Sequence, residues 1–159
     1  MKKWEILSMM LQGEESIMGY RNSSDRLKTQ YENDLAAIIE DARGNIIAFS
    51  TLWETESPDW LELGSIWTHP DYRGRGLASR VFEACVRKYK QKNLKVFTIT
   101  HNSRIVHLLK KYGWQERGTL TWDKVPFSVT CGPCDRIHEN FKGTCVFKAV
   151  TSECRLFHD

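Results

Sequence analysis

The sequence has few of the features that mark unusual protein classes. It lacks an apolar run near the ~18 residues of a membrane span, and Glu5 interrupts the short apolar stretch where a signal peptide would have its core. With 4 prolines and 10 glycines, it is neither collagenous nor of low complexity. Its net charge of +3 is too weak to indicate nucleic acid as a main partner. These absences predict a cytoplasmic protein with no membrane partner and no nucleic-acid partner.

What is present is typical of an ordinary globular protein. The chain has 159 residues, of which 41% are hydrophobic and 27% are charged. At this size roughly 70% of the unfolded surface can be buried, so a core forms without disulfide or metal staples. We predict one domain over residues 1–159, in which residues 123–159 form a Cys-rich C-terminal segment.

Hydrophobic periodicity predicts an α/β fold. Residues 4–31 fit one or two amphipathic helices, and a helix from Leu77 places Cys85 in its apolar stripe. A second helix is capped by Asn102 or Ser103 and ended by Gly113. The succession of strand, helix, strand and helix implies a right-handed parallel crossover. The predicted strands span residues 35–39, 46–53, 60–68, 94–100, 114–122 and 145–150.

The most informative segment joins the strand at 60–68 to the helix that begins at Leu77. Two glycines and two arginines lie in this turn, and a helix N-terminus offers unpaired N–H groups that can bind a phosphate. A Walker A loop is excluded because no Gly-Lys-Ser/Thr ending is present, and Ser79 replaces the third glycine of the dinucleotide fingerprint. The alternative is a simple glycine turn with solvated arginines. The predicted phosphate-binding residues are Arg73, Gly74, Arg75, Gly76, Leu77, Ala78 and Ser79.

In this context the sequence resembles the GNAT family of N-acetyltransferases. The family's main signature, Gln/Arg-x-x-Gly-x-Gly/Ala, is matched by Arg73, Gly76 and Ala78. Its second signature is an Asn that opens a helix ending in Lys-x-Gly-aromatic, and it is matched by Asn102, Lys111, Gly113 and Trp114. Both motifs occur in the family's order, within a resemblance that spans about residues 35 to 122.

The resemblance implies a mixed sheet, flanked by helices and splayed between the strands at 60–68 and 94–100, with acetyl-CoA in the gap. Backbone groups of residues 74–79 would hold the pyrophosphate. The strand residues Ile66, Trp67 and Thr68 would pair with the pantetheine arm, and Asn102 would contact its far end. A basic run is either a solvated helix face or a contact for the 3′-phosphate, and it contains Arg87, Lys88, Lys90, Lys92 and Lys95.

The catalytic residues depart from the family's pattern. Many members use a Tyr seven residues after the helix-opening Asn as the acid for the leaving thiolate, but Leu109 stands there. Tyr112 is an alternative acid, although its apolar setting favours core packing. Glu62 is the best candidate for the base, because it shares strand parity with Gly64 and Ile66; a salt-bridged or exposed strand residue is the alternative.

Other polar residues near the predicted cleft have more than one interpretation. The preceding loop holds three acidic residues that can serve as the base or attract a cationic acceptor, namely Glu54, Glu56 and Asp59. His69 is expected to cap the turn or to face solvent.

Four cysteines lie near the C-terminus. Cys131 and Cys134 form a Cys-x-x-Cys knuckle, and Cys145 and Cys154 can complete a tetrahedral Zn²⁺ site, with His138 as the alternative fourth ligand. Four protein ligands leave no open position, so such a site would be structural and would order a metal-binding hairpin. The alternatives are unconnected thiols, a disulfide between the first two cysteines, or a redox dithiol.

Together these features predict an acetyl-CoA-dependent N-acetyltransferase. The acetyl group would move to a primary amine of a small molecule, a peptide or a protein lysine, by direct attack in a ternary complex, because no cysteine sits beside an evident base. The alternative is a non-catalytic acyl-CoA-binding or zinc-based interaction module. The sequence does not indicate the oligomeric state.

Overall fold

The computed structural model describes residues 2–14, 22–121, 124–126 and 154–159. The predicted strand at 145–150 and the candidate ligands Cys131, Cys134, His138 and Cys145 lie outside the described residues. None of the described helices is long and apolar enough to cross a membrane. The helices are α1 (Lys3–Gln12), α2 (Ser24–Glu32), α3 (Leu77–Gln91) and α4 (Ser103–Lys111), with a 3₁₀ turn at Pro70–Tyr72. The strands are β1 (Ala36–Glu40), β2 (Ile46–Glu54), β3 (Trp60–Thr68), β4 (Lys95–Thr100), β5 (Gln115–Glu116) and β6 (Arg155–His158).

The chain forms two compact units, and the first consists of Met1–Leu52 and Leu63–Asn93. Its strand order is β1-β2-β3, and β1 pairs with β2 in antiparallel fashion from Ala36↔Thr51 to Glu40↔Ile46. The apolar stripe of α3 is buried, and this helix packs on β1. The buried stripe consists of Leu77, Val81, Phe82, Cys85 and Tyr89.

The second unit consists of Trp53–Glu62 and Leu94–Asp159, and its strand order is β3-β4-β6-β5. As predicted, β3 and β4 pair in parallel, over Trp60↔Lys95 to Glu62↔Phe97. Strand β6 then pairs in antiparallel fashion with both β4 and β5. A core cluster lies beneath these strands and consists of Phe97, Leu120, Val125 and Leu156.

The mixed α/β architecture is confirmed, but two C-terminal details differ from the expectation. The predicted strand at 114–122 is too long, because β5 spans only Gln115–Glu116 and is followed by left-handed residues, Arg117 with φ 60° and Gly118 with φ 44°. Such backbone leaves the extended region and ends a strand. Strand β6 was not predicted at all. The single domain and the metal-binding hairpin stay predictions.

Candidate active site

The turn after β3 is shaped by His69. This residue caps the 3₁₀ turn, because its Nδ1 accepts a hydrogen bond from the Asp71 N–H at 3.3 Å. Its own N–H donates to the carbonyl of Ile47 at 2.9 Å, which fastens the turn to β2. The imidazole meets two aromatic rings edge to face, with centroids 5.9 Å from Trp67 and 5.7 Å from Tyr72. His69 therefore caps the 3₁₀ turn, which is one of the two alternatives predicted for this residue.

Two glycines give the turn its path. Gly74 has φ 77° and Gly76 has φ 73°, a left-handed conformation that side chains other than glycine rarely adopt. A Cβ built at either position would find no atom of the described residues within 4 Å. The glycines are therefore required by the backbone conformation, and the space beside them is open to a ligand.

The first turn of α3 has donors to offer. Gly76 caps the helix without a side-chain hydrogen bond. The first backbone hydrogen bond of the helix runs from the Arg80 N–H to the Gly76 carbonyl at 3.2 Å. The N–H groups of Leu77, Ala78 and Ser79 precede that bond, at the positive end of the helix dipole. The first turn of α3 carries no acidic residue that would neutralise this end. An anion fits these donors.

Two exposed arginines flank the glycines, and they have different partners. Arg73 Nη2 contacts Glu14 Oε1 at 2.7 Å, and its Nε donates to the Thr68 carbonyl at 3.2 Å. Arg75 donates from Nη2 to the Asp71 carbonyl at 3.5 Å, and its Cζ lies 5.1 Å from the centroid of the Tyr72 ring. Both cations favour an anionic ligand at the turn.

The end of β3 holds two buried polar atoms that no described residue hydrogen-bonds. Trp67 is 3% exposed, and neither its indole Nε1 nor the buried Thr68 Oγ1 has a hydrogen-bond partner within the described part of the chain. Buried polar groups are nearly always paired, so each such atom calls for an explanation. Both atoms lie in the stretch that the family resemblance assigns to the pantetheine arm.

Glu62 is the third residue of β3 and is buried, with 2% of its surface exposed. It forms the last pair of the parallel register, opposite Phe97, although β3 continues to Thr68. Ser65, between Gly64 and Ile66, has φ 53° and interrupts the two-residue alternation that relates Glu62 to Ile66, whereas Glu62 and Gly64 both precede this interruption. The three acidic residues before Glu62 are by contrast exposed, and Glu54 is the last residue of β2 while Glu56 and Asp59 lie in the loop that follows it.

Asn102 caps helix α4, as one of the two residues predicted to do so. The Asn102 Oδ1 accepts hydrogen bonds from the N–H groups of Arg104 at 2.9 Å and Ile105 at 3.4 Å. Leu109, at the position of the family's usual acid, is 0% exposed and belongs to the core. Tyr112 ends the helix and is half-buried.

The basic run lies mostly on an exposed face. Lys88 is its exception: the ammonium pairs with the Asp34 carboxylate, and this hydrogen bond lowers the pKa of Asp34. Lys95 lies over the Trp60 ring at 5.6 Å. This exposure fits both interpretations of the run, and the contact with the 3′-phosphate stays a prediction.

The described cysteines are core residues. Cys85 is 0% exposed, and burial raises the pKa of its thiol to about 11, as expected for an inert core thiol. Cys154 is half-buried against the cluster around Phe97. Among the described residues no group of three or more His, Cys, Asp or Glu side chains can hold a metal ion. The other three candidate zinc-binding cysteines lie outside that part of the chain.

The chain resembles known proteins in both sequence and structure. Residues 4–114, more than two thirds of the chain, match the family described as the acetyltransferase (GNAT) family. No curated protein matches the sequence significantly.

Several solved structures share the fold. N-acetylglutamate synthase from Neisseria gonorrhoeae, complexed with coenzyme A and N-acetyl-glutamate, is 13% identical with a TM-score of 0.66, over 98% of this chain and 31% of that one. The chain thus spans less than a third of that enzyme's length. A GNAT-family acetyltransferase from Staphylococcus aureus Mu50 is 12% identical with a TM-score of 0.62, over 98% of this chain and 89% of that one. The Salmonella typhimurium protein yncA, described as an acetyltransferase and solved with its cofactor acetyl-CoA, is 16% identical with a TM-score of 0.59, over 72% and 73%.

Proposed function

Because the chain belongs to the acetyltransferase (GNAT) family, we propose that it transfers an acetyl group from acetyl-CoA to a primary amine. The observation that carries the proposal is the turn before α3. It combines two left-handed glycines, open space beside them, and a helix start without a side-chain cap. A diphosphate is the ligand that this combination favours, because several N–H donors and two guanidinium groups lie together.

The residues that would hold acetyl-CoA follow from this turn. N–H groups of residues 74–79 would bind the diphosphate, and Ile66, Trp67 and Thr68 would line the pantetheine arm. The unpartnered Trp67 Nε1 and Thr68 Oγ1 support this assignment, because a ligand amide could satisfy a buried donor or acceptor. Asn102 would contact the far end of the arm, in keeping with the family resemblance.

Acetyl-CoA supplies the activated acetyl group as a thioester. We assign the base to Glu62, whose carboxylate would take one proton from the ammonium form of the acceptor; the neutral amine would then form the N–C bond as the C–S bond breaks, and its second proton would pass to the departing thiolate. Its burial supports this role, because a site shielded from water strengthens the electrostatic interactions within it and prevents side reactions with water. The thiolate can leave without a dedicated acid, since a thiol with a pKa near ~8.5 is a tolerable leaving group.

The acceptor is proposed to be a cationic amine, offered by a small molecule, a peptide or a protein lysine. Glu54, Glu56 and Asp59 support this class, because a group of carboxylates raises the local concentration of cations. Direct attack in a ternary complex fits the described cysteines, since Cys85 is buried with a raised pKa and is no acyl-accepting nucleophile.

The experiment has two stages. Calorimetry with acetyl-CoA tests the turn, and thiol release from acetyl-CoA is then measured against a panel of amines. Binding together with amine-dependent thiol release supports the proposal, whereas a folded protein without affinity for acetyl-CoA contradicts it. Binding with no response to any amine favours the second candidate, a non-catalytic acyl-CoA-binding module. Leu109 at the usual acid position is the observation that favours this candidate.

Zinc stays a prediction about the C-terminal cysteines. Elemental analysis of protein purified without added metal tests it, with Cys131→Ser as the variant expected to lose the ion. A Cys85→Ala variant is the matched control, because that thiol is buried in the first unit. Protein free of metal would contradict the zinc site, and reductase activity lost in Cys131→Ser would favour the redox dithiol. A cytoplasmic location is likewise a prediction.

A further inference from the structure

The two arginines of the glycine turn make different contacts, although both are exposed and carry the same charge. Arg73 already has an anionic partner, since its guanidinium contacts the Glu14 carboxylate at 2.7 Å. Its Nε also donates to the Thr68 carbonyl, so the side chain bridges the end of β3 and the residue after the α1 cap. A guanidinium engaged in this way has less charge to offer to a ligand.

Arg75 has no carboxylate partner among the described residues. Its guanidinium lies over the Tyr72 ring at 5.1 Å and donates to the Asp71 carbonyl at 3.5 Å. Both contacts come from the 3₁₀ turn that directly precedes the glycines, and neither neutralises the positive charge. The side chain is thus restrained while its charge stays available.

Tyr72 is itself held in place. Its N–H donates to the His69 carbonyl at 2.9 Å, and its ring meets the edge of the His69 imidazole at 5.7 Å and 85°. The imidazole in turn contacts the buried Trp67 ring. A continuous stack thus runs from the core to the exposed guanidinium, in the order Trp67, His69, Tyr72 and Arg75. We call these four residues the aromatic stack.

We propose that Tyr72 is a positioning residue for the diphosphate of acetyl-CoA, and that it acts by holding Arg75 beside the glycine turn while Arg73 fastens the turn to Glu14. An arginine side chain has large rotamer entropy, and restraining it before binding reduces the entropy lost when the ligand arrives. The inference rests on the proposed function, because it assigns parts to residues of the same turn.

The test compares acetyl-CoA with S-acetylpantetheine, which lacks the diphosphate and the nucleotide. For Tyr72→Ala we expect the Kd of acetyl-CoA to rise about two- to fivefold, the range of an exposed cation–π contact. The Kd of S-acetylpantetheine is expected to stay the same. Tyr72→Phe keeps the ring face and is expected to restore wild-type affinity, because within the described residues the Tyr72 hydroxyl forms no hydrogen bond. Tyr72→Leu keeps bulk without a ring and is expected to resemble the alanine variant.

A matched pair of variants separates the two arginines: Arg73→Gln and Arg75→Gln each lack one positive charge. Arg75→Gln is expected to weaken acetyl-CoA binding about tenfold relative to S-acetylpantetheine, as for loss of a charged hydrogen bond. Arg73→Gln is expected to lower the melting temperature and to weaken acetyl-CoA binding relative to S-acetylpantetheine by less than Arg75→Gln does, because Glu14 already pairs with the Arg73 guanidinium. In an Arg75→Gln background, the Tyr72→Ala change is expected to have no further effect on the Kd.

The outcomes separate this inference from the function on which it rests. Wild-type protein that binds neither ligand overturns both. Where the wild type binds acetyl-CoA, either of two results overturns the positioning role alone. One is an unchanged Kd in Tyr72→Ala, and the other is an equal loss of the preference for acetyl-CoA over S-acetylpantetheine in the two arginine variants. Circular dichroism and thermal melts of each variant show whether a lost affinity reflects unfolding.

Discussion

Replacing Gly76 with alanine separates the backbone role of the turn from its role in binding. Gly76 has φ 73°, and a non-glycine residue in that conformation costs about 1–2 kcal/mol. A Cβ would meet no atom of the described residues within 4 Å, so no clash adds to that cost. At about 2–4 °C for each kcal/mol, the melting temperature is expected to fall by about 2–8 °C.

Gly44 provides a matched control in the same unit. It has φ 78° in the turn between β1 and β2, and a Cβ there would also meet no described atom within 4 Å. Gly44→Ala is therefore expected to lose a similar amount of stability. The two variants differ in one respect, namely that only Gly76 lies in the proposed diphosphate turn.

The assay is the stabilisation produced by acetyl-CoA in thermal melts. At a ligand concentration one hundred times the wild-type Kd, binding stabilises the wild type and Gly44→Ala by about 2.7 kcal/mol. If the alanine methyl group at position 76 keeps the diphosphate from the helix N–H groups and raises the Kd about a hundredfold, that stabilisation falls to about 0.4 kcal/mol. Equal stabilisation of the two variants by acetyl-CoA would refute the assignment of the turn.

Three further predictions test other parts of the molecule. Glu62→Gln is expected to lower kcat for amine acetylation about 10²- to 10⁴-fold with little change in the KM for acetyl-CoA. An undiminished kcat would contradict the assignment of Glu62 as the base. Glu116→Gln is the control for the loss of a negative charge elsewhere in the second unit. The bidentate contact with Arg155, at 2.6 Å for both oxygens, lowers the pKa of Glu116 below its ordinary 4.5. For so exposed a pair, this contact contributes less than about 1 kcal/mol to the free energy of unfolding. The contribution is present above pH 4.5 and is lost as the pH falls through the lowered pKa. Glu116→Gln should therefore reduce thermal stability at pH 7 but not at a pH where the Glu116 carboxylate is protonated, and equal losses at both pH values would contradict this. Cys85, with its pKa raised to about 11, is expected to resist alkylation at pH 8 until the protein unfolds, and rapid labelling of the native protein, located by mass spectrometry, would show that the thiol is accessible.

Much of the fold follows from local patterns. Strand β3 has the predicted bounds, and α3 begins at Leu77 as predicted, because strand and helix periodicities change at the glycine turn. Asn102 caps α4 because its short side chain reaches the N–H groups of the first turn. The family resemblance, carried by two short motifs, is confirmed by the match over residues 4–114.

Other features had no local signal. Ser65 has φ 53° within β3, a conformation that serine does not favour by itself. The short strand β6 pairs with β4, distant in sequence, and was not found because four residues are too few for a periodicity. The aromatic stack was also not predicted. Three aromatic side chains lie within residues 67–72, but the rules that predict a helix N-terminus do not consider aromatic content.

The sequence alone determined the order of the elements, the path of the glycine turn and the family, because these depend on neighbouring residues and on backbone conformations that few residue types allow. Tertiary structure decided which charges of that turn are already paired. Glu14 and Arg73 are 59 residues apart in the chain, and no local rule predicts that they meet at 2.7 Å. It also decided that Glu62 is buried, because the exposure of a strand residue depends on which elements cover the sheet.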